Sequence, residues 1–444
     1  MRLRTKNLFN FSKLRELIWS WYPRSEREAS DAVVTNFLLH WFPVKVSKRS
    51  LSFTYSFWLG TISFVLFLIL TVTGVILMFY YVPSVERAYG SVKDIEYAVS
   101  FGGFIRALHR IAAHLMVISV FLHMVRVFLT TAYKNGIGVR QNRPLNFVIG
   151  VFLLLATLLL SFTGYLLPWD QLAYWAITVG TNIARAAPLL GEGARFVLLG
   201  GNEIGQNTLI RFYVLHVFFL PVFVFILFLW HMWRVRKDGG LACDDKLVRE
   251  LKSTPAEVSP AKTYSLLGIT QGRTVYVEAS VPGESEHFVN SVPHLTRRIL
   301  LVTLATILVS CILAVIFQAP LEEPANPALT PNPAKAPWYF LWLQELVAIT
   351  TVHLGPITVN GALVGGVIIP TILVVLLIFW PYIDKSPPSS VGVWFARERL
   401  RQNIVFILIC LAIIVLILIA SYMRGPYWDF YWPWETWPPT PVSI

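Results

Sequence analysis

Charge and cysteine are both scarce in this chain. Only 14% of its 444 residues are Asp, Glu, Lys or Arg, against 55% hydrophobic. Soluble domains carry about 25% charged residues, so a water-facing globule is excluded and a polytopic membrane protein is expected. The three cysteines, Cys243, Cys311 and Cys410, lie far apart with no CxxC or CxxCH spacing. A disulfide framework, a thiolate zinc site and covalent c-type haem attachment therefore have no support. Also missing is an apolar run close to Met1: the first begins near Phe53, behind a tail rich in Lys and Arg. The N-terminus is thus expected to be retained and not cleaved as a secretory signal. A net charge of +12 raises nucleic acid as a partner, but a membrane chain spends its basic residues on orientation first, and no nucleic-acid binding is expected.

Seven apolar runs are present, spans A to G, at roughly 53–81, 109–131, 145–168, 209–233, 298–318, 360–382 and 402–423. Each is near the ~20 residues that a bilayer-crossing helix needs. Basic residues mark one face: the tail before span A; Lys134, Arg140 and Arg143 between B and C; Arg234, Arg236, Lys237, Arg297 and Arg298 around the D–E segment; and Lys385, Arg397, Arg399 and Arg401 between F and G. The positive-inside rule makes that face the n side, which puts the N-terminus in the cytoplasm or its equivalent and the C-terminus on the opposite, p side.

Four histidines sit in two of these runs, His109 and His123 in B, His216 and His231 in D. An imidazole inside a membrane is costly without a partner, so two pairs on two spans ask for two shared ligands, and two stacked haems answer that demand. His109 and His123 are 14 residues apart, which returns them to one face of a bundled helix after about four turns and ~21 Å. His216 and His231 are 15 apart, and the extra residue predicts a wide turn or an altered ring angle in span D. Spans B and D run in the same direction, so His109 pairs with His216 near the p side and His123 with His231 near the n side.

A flat macrocycle between helices needs close walls, which glycine permits. Span A supplies Gly60 and Gly74, and span C supplies Gly150 and Gly164, both pairs at the same 14-residue interval. Running the opposite way through the membrane, they assign Gly60 and Gly150 to the n-side haem and Gly74 and Gly164 to the p-side haem. Arg106 and Arg126 lie three residues outside His109 and His123, where a guanidinium either bonds a propionate or snorkels at a helix end. His114, five residues from His109, is off the ligand face and reads as an interhelical hydrogen-bonded histidine.

The expected fold is all-α and polytopic, a four-helix di-haem bundle followed by three further transmembrane helices, seven in total. Its expected parts are a basic n-side tail (1–52), the di-haem bundle (53–237), a polar n-side connection (238–297), a three-helix part (298–423) and an aromatic, proline-rich p-side tail (424–444). The connection holds a strand-like stretch at Thr274 to Val281. The final tail, with Trp428, Tyr431, Trp432, Trp434 and Trp437, reads as an interfacial aromatic belt or as a docking point for a partner chain.

These residues resemble the cytochrome b family of quinol-oxidising cytochrome bc complexes. The likeness is close from Phe53 to Arg236, including IRFYVLH at Ile210 to His216 and GYLLPWDQLAYWA at Gly164 to Ala176, and looser through spans E to G. There Pro337, Trp338, Tyr339 and Phe340 are similar to the family's PEWYF quinol segment. Asp170, the RKxG at Arg236 to Gly239, the 15-residue interval in span D and the seven spans resemble the chloroplast-type branch, with its two polypeptides here joined in one chain. That branch holds an extra haem on a cysteine near the position of Trp58, where this chain has none, so a covalent third haem is not expected.

The resemblance implies two non-covalent b-type haems, quinol oxidation on the p side at Trp338 and Tyr339, electron transfer across the membrane, and quinone reduction on the n side near Arg236 and Lys237. It implies a Rieske iron–sulfur protein and a c-type cytochrome or equivalent acceptor as partners, lipid and quinone around the chain, and a homodimeric complex. A bacterial plasma membrane is the expected location. One departure stands out: Pro337 occupies the place of the family's glutamate and cannot accept a quinol proton. Glu345 is the next acid along the chain, read either as a substitute proton acceptor or as an ordinary rim contact. Two other functions stay open, a di-haem membrane anchor that conducts electrons without bifurcation and a transporter relaying protons through its histidines; a reduced-minus-oxidised visible spectrum separates the latter.

Overall fold

The computed structural model describes residues 23, 25–36, 39–136, 141–243 and 287–438. Seven helices in it are long and apolar enough to cross a bilayer: A (Leu59–Met78), B (Gly102–Leu129), C (Arg143–Tyr165), D (Gln206–Lys237), E (Ser291–Ile316), F (Gly361–Ile383) and G (Arg397–Tyr422). The chain is an all-α polytopic membrane protein of four plus three spans.

Three boundaries differ from those read off hydropathy, each for a local reason. Span A starts at Leu59, six residues later than expected, because Phe57 and Trp58 both take left-handed backbone (φ 50° and 54°) and interrupt the helix. Span B starts at Gly102, a full turn and more before His109. Its first turns carry Arg106, whose guanidinium is satisfied by Glu96 and by the carbonyls of Ala319 and Pro320, so a charge that broke the apolar run does not break the helix. Span D starts at Gln206, where the Thr208 hydroxyl accepts from the Gly205 N–H. Span C opens on Asn142, whose side chain accepts from the Leu145 N–H, followed by Pro144 in the first turn, a strong start signal.

Span A packs on B, C on D, and B on C, giving the four-helix bundle, with E against A and B and F against C. Leu66, Phe67, Ala112, Met116, Ala156 and Val224 fill its middle. The outward faces stay apolar and exposed, as at Phe223, Ile226, Val405 and Leu408, the pattern of helices solvated by lipid. A helix outside the membrane set, Trp338–Thr350, packs along span G.

One buried polar cluster joins the two sets of spans. Arg399, fully buried at the start of span G, donates to the Phe128 carbonyl (2.9 Å), Thr131 Oγ1 (2.9 Å) and the Tyr133 hydroxyl, and stands 3.4 Å from Asp384. Tyr133 donates in turn to Asp384 Oδ2 at 2.6 Å. Phe128 of span B stacks on Phe406 of span G at 3.8 Å beside it.

Two small antiparallel pairings complete the fold. Strand β1 (Lys45–Ser47) pairs with β2 (Phe288–Asn290), tying the N-terminal segment to the start of span E, and β3 (Val352–Leu354) forms a hairpin with β4 (Ile357–Val359). The strand-like stretch at Thr274 to Val281 lies outside the described residues.

Candidate functional site

The four histidines of spans B and D meet as two facing pairs. The rings of His109 and His216 have centroids 6.2 Å apart and lie at 73° to each other; those of His123 and His231 are 6.4 Å apart at 78°. Span D reaches this register despite its 15-residue interval because Leu215–Phe219 is a π-helical turn, and His216 lies inside it. The wide turn absorbs the extra residue.

Hydrogen bonds fix which nitrogen of each upper imidazole is free. The Thr73 hydroxyl donates to the Ile69 carbonyl at 2.7 Å, so its oxygen accepts from His109 Nδ1–H at 2.8 Å. His216 Nδ1 lies 3.1 Å from the Leu160 carbonyl, a pure acceptor, and 3.2 Å from Thr163 Oγ1, whose own proton goes to Leu159. Both rings therefore carry their proton on Nδ1 and keep a bare lone pair on Nε2, the form that ligates a metal. Two metal–imidazole bonds of ~2 Å place facing nitrogens ~4 Å apart, and ring centroids just over 6 Å apart accommodate that. Among the described residues no group of three or more His, Cys, Asp or Glu converges, so the donor sets here are imidazole pairs, and each would fit a haem iron between its two rings.

The glycines stand where the span directions put them. A Cβ on Gly60 would lie 3.4 Å from His123 and one on Gly74 3.3 Å from His109; on Gly150 it would lie 3.7 Å from His231, and on Gly164 2.5 Å from His216. Each glycine thus lets one span close on one imidazole.

Around His123 and His231 opens a cavity of about 360 Å³, lined by Gly60, Gly150, Arg126, Arg143 and Arg236 among others. Arg126 is buried, its guanidinium 4.9 Å over the Tyr55 ring, with one long bond (3.5 Å) to the Ala242 carbonyl and its Nε without a partner. A buried cation with an unpaired donor calls for an anion, which a propionate would supply. Arg106 differs: its donors are taken by Glu96 (2.7 Å) and two backbone carbonyls, so it is not offered to a propionate. Of the two cations expected at an n-side quinone, Arg236 lines the cavity, whereas Lys237 is exposed and lies 4.7 Å over the Trp233 ring.

On the other face, Pro337 precedes Trp338–Thr350 as its N-cap, so Trp338 and Tyr339 occupy the first turn. Trp338 Nε1 donates to His114 Nδ1 at 3.0 Å, and the Tyr339 ring lies 5.9 Å from the same imidazole. Phe340 meets Phe162 of span C edge-on at 5.9 Å. Tyr339 is buried, and burial pushes its phenol up to about 12, so it is a hydroxyl donor at any physiological pH. Asp170 caps the helix Gln171–Arg185 through the Ala173 N–H, also accepts from the Glu322 N–H, and has its carboxyl raised by burial. Glu345 is elsewhere: its carboxylate is buried against Arg424 and Trp428 of the final tail.

Sequence reasoning passed over Thr73 and Thr163. Their signal was present, since each directly precedes a pocket glycine, as Thr73-Gly74 and Thr163-Gly164. Arg424, the partner of Glu345, was likewise missed.

Residues 45–239 match the family described as cytochrome b/b6/petB, and residues 324–431 match cytochrome b (C-terminal)/b6/petD. Cytochrome b6 of Porphyra purpurea is 44% identical over 181 residues, 41% of this chain and 81% of that protein. Cytochrome b6 of Tupiella akineta is 41% identical, and that of Prochlorococcus marinus (strain MIT 9515) 42%, each over 181 residues. A solved structure described as a hyperthermophilic respiratory Complex III has the same fold, with a TM-score of 0.65 at 24% identity, covering 85% of this chain and 86% of that one. The three cytochromes b6 named above correct the expected placement in a bacterial plasma membrane: they come from chloroplast and cyanobacterial lineages and point to a thylakoid membrane.

Proposed function

Since the chain belongs to the cytochrome b/b6 family, we propose that His109 with His216 and His123 with His231 would hold the two b-type haems that members of this family bind. The protein is the cytochrome b-type subunit of a Rieske/cytochrome b complex, which oxidises quinol and moves electrons across the membrane. When bound, the haems supply the one-electron chemistry. The chain supplies position, protons and charge.

Thr73 and Thr163 hold the two upper imidazoles with Nε2 inward. Gly60, Gly74, Gly150 and Gly164 leave room for the porphyrin faces, and Arg126 neutralises a propionate. Quinol binds between the first turn of Trp338–Thr350 and the end of span C, where the protonated Tyr339 hydroxyl donates a hydrogen bond to a quinol oxygen. On the opposite face, Arg236, with Lys237 further out, favours the negative charge that develops on a quinone. The residue span 53–237 forms the di-haem part and 298–423 the quinol-loop part. A Rieske protein and a c-type cytochrome or equivalent acceptor are the partners, a reading that the fold shared with a respiratory Complex III supports, and the complex is read as a homodimer from the family resemblance alone.

One observation carries the reading: two imidazole pairs face each other at 6.2 and 6.4 Å in an apolar interior. Purification of the complex followed by a reduced-minus-oxidised spectrum tests it. Two b-type components are expected, with one lost on replacing His109 or His216 by Leu and the other on replacing His123 or His231. A colourless protein, or both components surviving all four changes, refutes the assignment.

A further inference from the structure

Pro337 leaves the quinol loop without the carboxylate that the family's motif provides, and Glu345 does not stand free in its place, because Arg424 and Trp428 hold both its oxygens. His114 is the titratable side chain that the fold brings into hydrogen-bond contact with the loop, 3.0 Å from Trp338 Nε1 and with its ring 5.9 Å from that of Tyr339. We propose that His114 accepts the quinol proton in this protein and that Trp338 is the latch that keeps it ready. The proposal rests on quinol binding at the Trp338–Tyr339 loop.

Tautomer logic gives the latch its meaning. An indole N–H only donates, so His114 Nδ1 must present a lone pair to Trp338, which makes the ring neutral with its proton on Nε2. The same lone pair is the one a proton would take. Trp338 and a proton therefore compete for Nδ1, and His114 cannot become charged while the indole is bonded to it. Trp338 is 37% exposed, which leaves it free to swing when quinol enters beside Tyr339. The quinol O–H bond then breaks, its electron pair stays on oxygen, and the proton bonds to Nδ1. The resulting quinol anion is the species oxidised by the known activity, and the imidazolium passes its proton to the aqueous face.

The groups around His114 suit transient charge. Arg110 lies one turn back on span B and repels a second cation; Tyr339 on the loop helix and Tyr165 at the end of span C face that guanidinium. Cys311 of span E packs against Ala107 and Leu108, further toward the start of span B. Asp170 also acts on the Arg110 guanidinium but not on His114, so no carboxylate among these groups traps the imidazolium as an ion pair, and the proton is released and not stored.

The test uses the purified holo-complex, a short-chain quinol as substrate and its c-type acceptor, with rates measured across pH. In His114→Asn the amide keeps an acceptor for the indole but cannot titrate. Its b-type spectrum should match the parent, kcat should fall about a hundredfold, as for removal of a general base, and the acid limb of the pH profile should vanish. Trp338→Phe removes the competing donor, which favours protonation of Nδ1 and should move the acid limb to higher pH. A parental rate and profile in His114→Asn overturns the proposal. If that variant loses its spectrum, the Trp338→Phe profile decides alone, an unmoved acid limb being fatal. Tyr339→Ala separates the underlying reading: an unchanged KM for quinol in that variant would mean that quinol does not bind at this loop, whatever His114 does.

Discussion

Arg424 grips Glu345 with two nitrogens, Nη2 at 2.6 Å from Oε1 and Nε at 3.0 Å from Oε2, and Trp428 Nε1 closes the second oxygen at 3.2 Å. Glu345 is 1% exposed, so this fork clamps the final tail to the quinol-loop helix inside a site that excludes water. Taking one partner from such a pair leaves an uncompensated buried charge. Glu345→Gln is therefore expected to cost about 3 kcal/mol of stability, read as a fall in the unfolding midpoint in detergent. The double change Glu345→Gln with Arg424→Gln should cost less than the sum of the two singles. A Glu345→Gln protein of parental stability that had lost quinol oxidation would reverse this, and make the carboxylate a proton acceptor after all.

The four pocket glycines should not be equally sensitive to alanine. A Cβ at Gly164 would sit 2.5 Å from His216, at Gly74 and Gly60 at 3.3 and 3.4 Å from their imidazoles, and at Gly150 at 3.7 Å, an ordinary contact. Gly164→Ala is expected to abolish the p-side b-type absorbance, because span C cannot shift without moving the helix-bound imidazole. Gly150→Ala should keep the n-side component, and the other two should fall between. Haem content per variant, measured on purified protein, gives the order; equal loss at all four positions would contradict it.

Thr73→Val tests the role of the hydroxyl behind His109. It removes an acceptor from Nδ1–H while keeping the shape of the side chain, so Nε2 becomes a weaker ligand. Outer-sphere changes of this kind cost about tenfold to a hundredfold in metal affinity. Thr163→Val should cost less, since His216 retains the Leu160 carbonyl at 3.1 Å. Titration of haem into depleted protein distinguishes the two.

Where the sequence was legible, a periodicity or a charge stood directly for a contact. The 14-residue intervals at His109 and His123, Gly60 and Gly74, and Gly150 and Gly164 translate into facing residues because helix geometry is fixed, and the single surplus residue between His216 and His231 forecast the π turn at Leu215–Phe219. Span starts were less legible: hydropathy sees Arg106 as the end of an apolar run, whereas Glu96 neutralises it and two carbonyls just past the end of span E accept its remaining bonds. The same limit hid the partner of Glu345, since Arg424 lies 79 residues away and nothing local ties the two together. It hid the loop contact of His114 too: an interhelical hydrogen bond was legible from its place off the ligand face, but its partner Trp338 lies 224 residues away.

The cluster of Arg399, Asp384 and Tyr133 should make the junction between the two sets of spans sensitive to acid. Burial alone would raise the Asp384 carboxyl, but the Ser386 hydroxyl and N–H, the Tyr133 hydroxyl and the Arg399 guanidinium outweigh it and hold the group below its ordinary value. The sign follows from linkage: a carboxyl depressed on folding binds fewer protons folded than unfolded, so its stabilisation is complete above the ordinary value of ~3.9 and disappears as pH falls toward the lower folded value. Asp384→Asn should thus lower the unfolding midpoint at neutral pH and differ progressively less from the parent below about pH 4. Arg399 then loses its counter-charge in a fully buried position, so Asp384→Asn should also free span G from span B, seen as faster amide exchange at the start of G. A variant as stable as the parent at neutral pH would remove this cluster as the tie between the two halves.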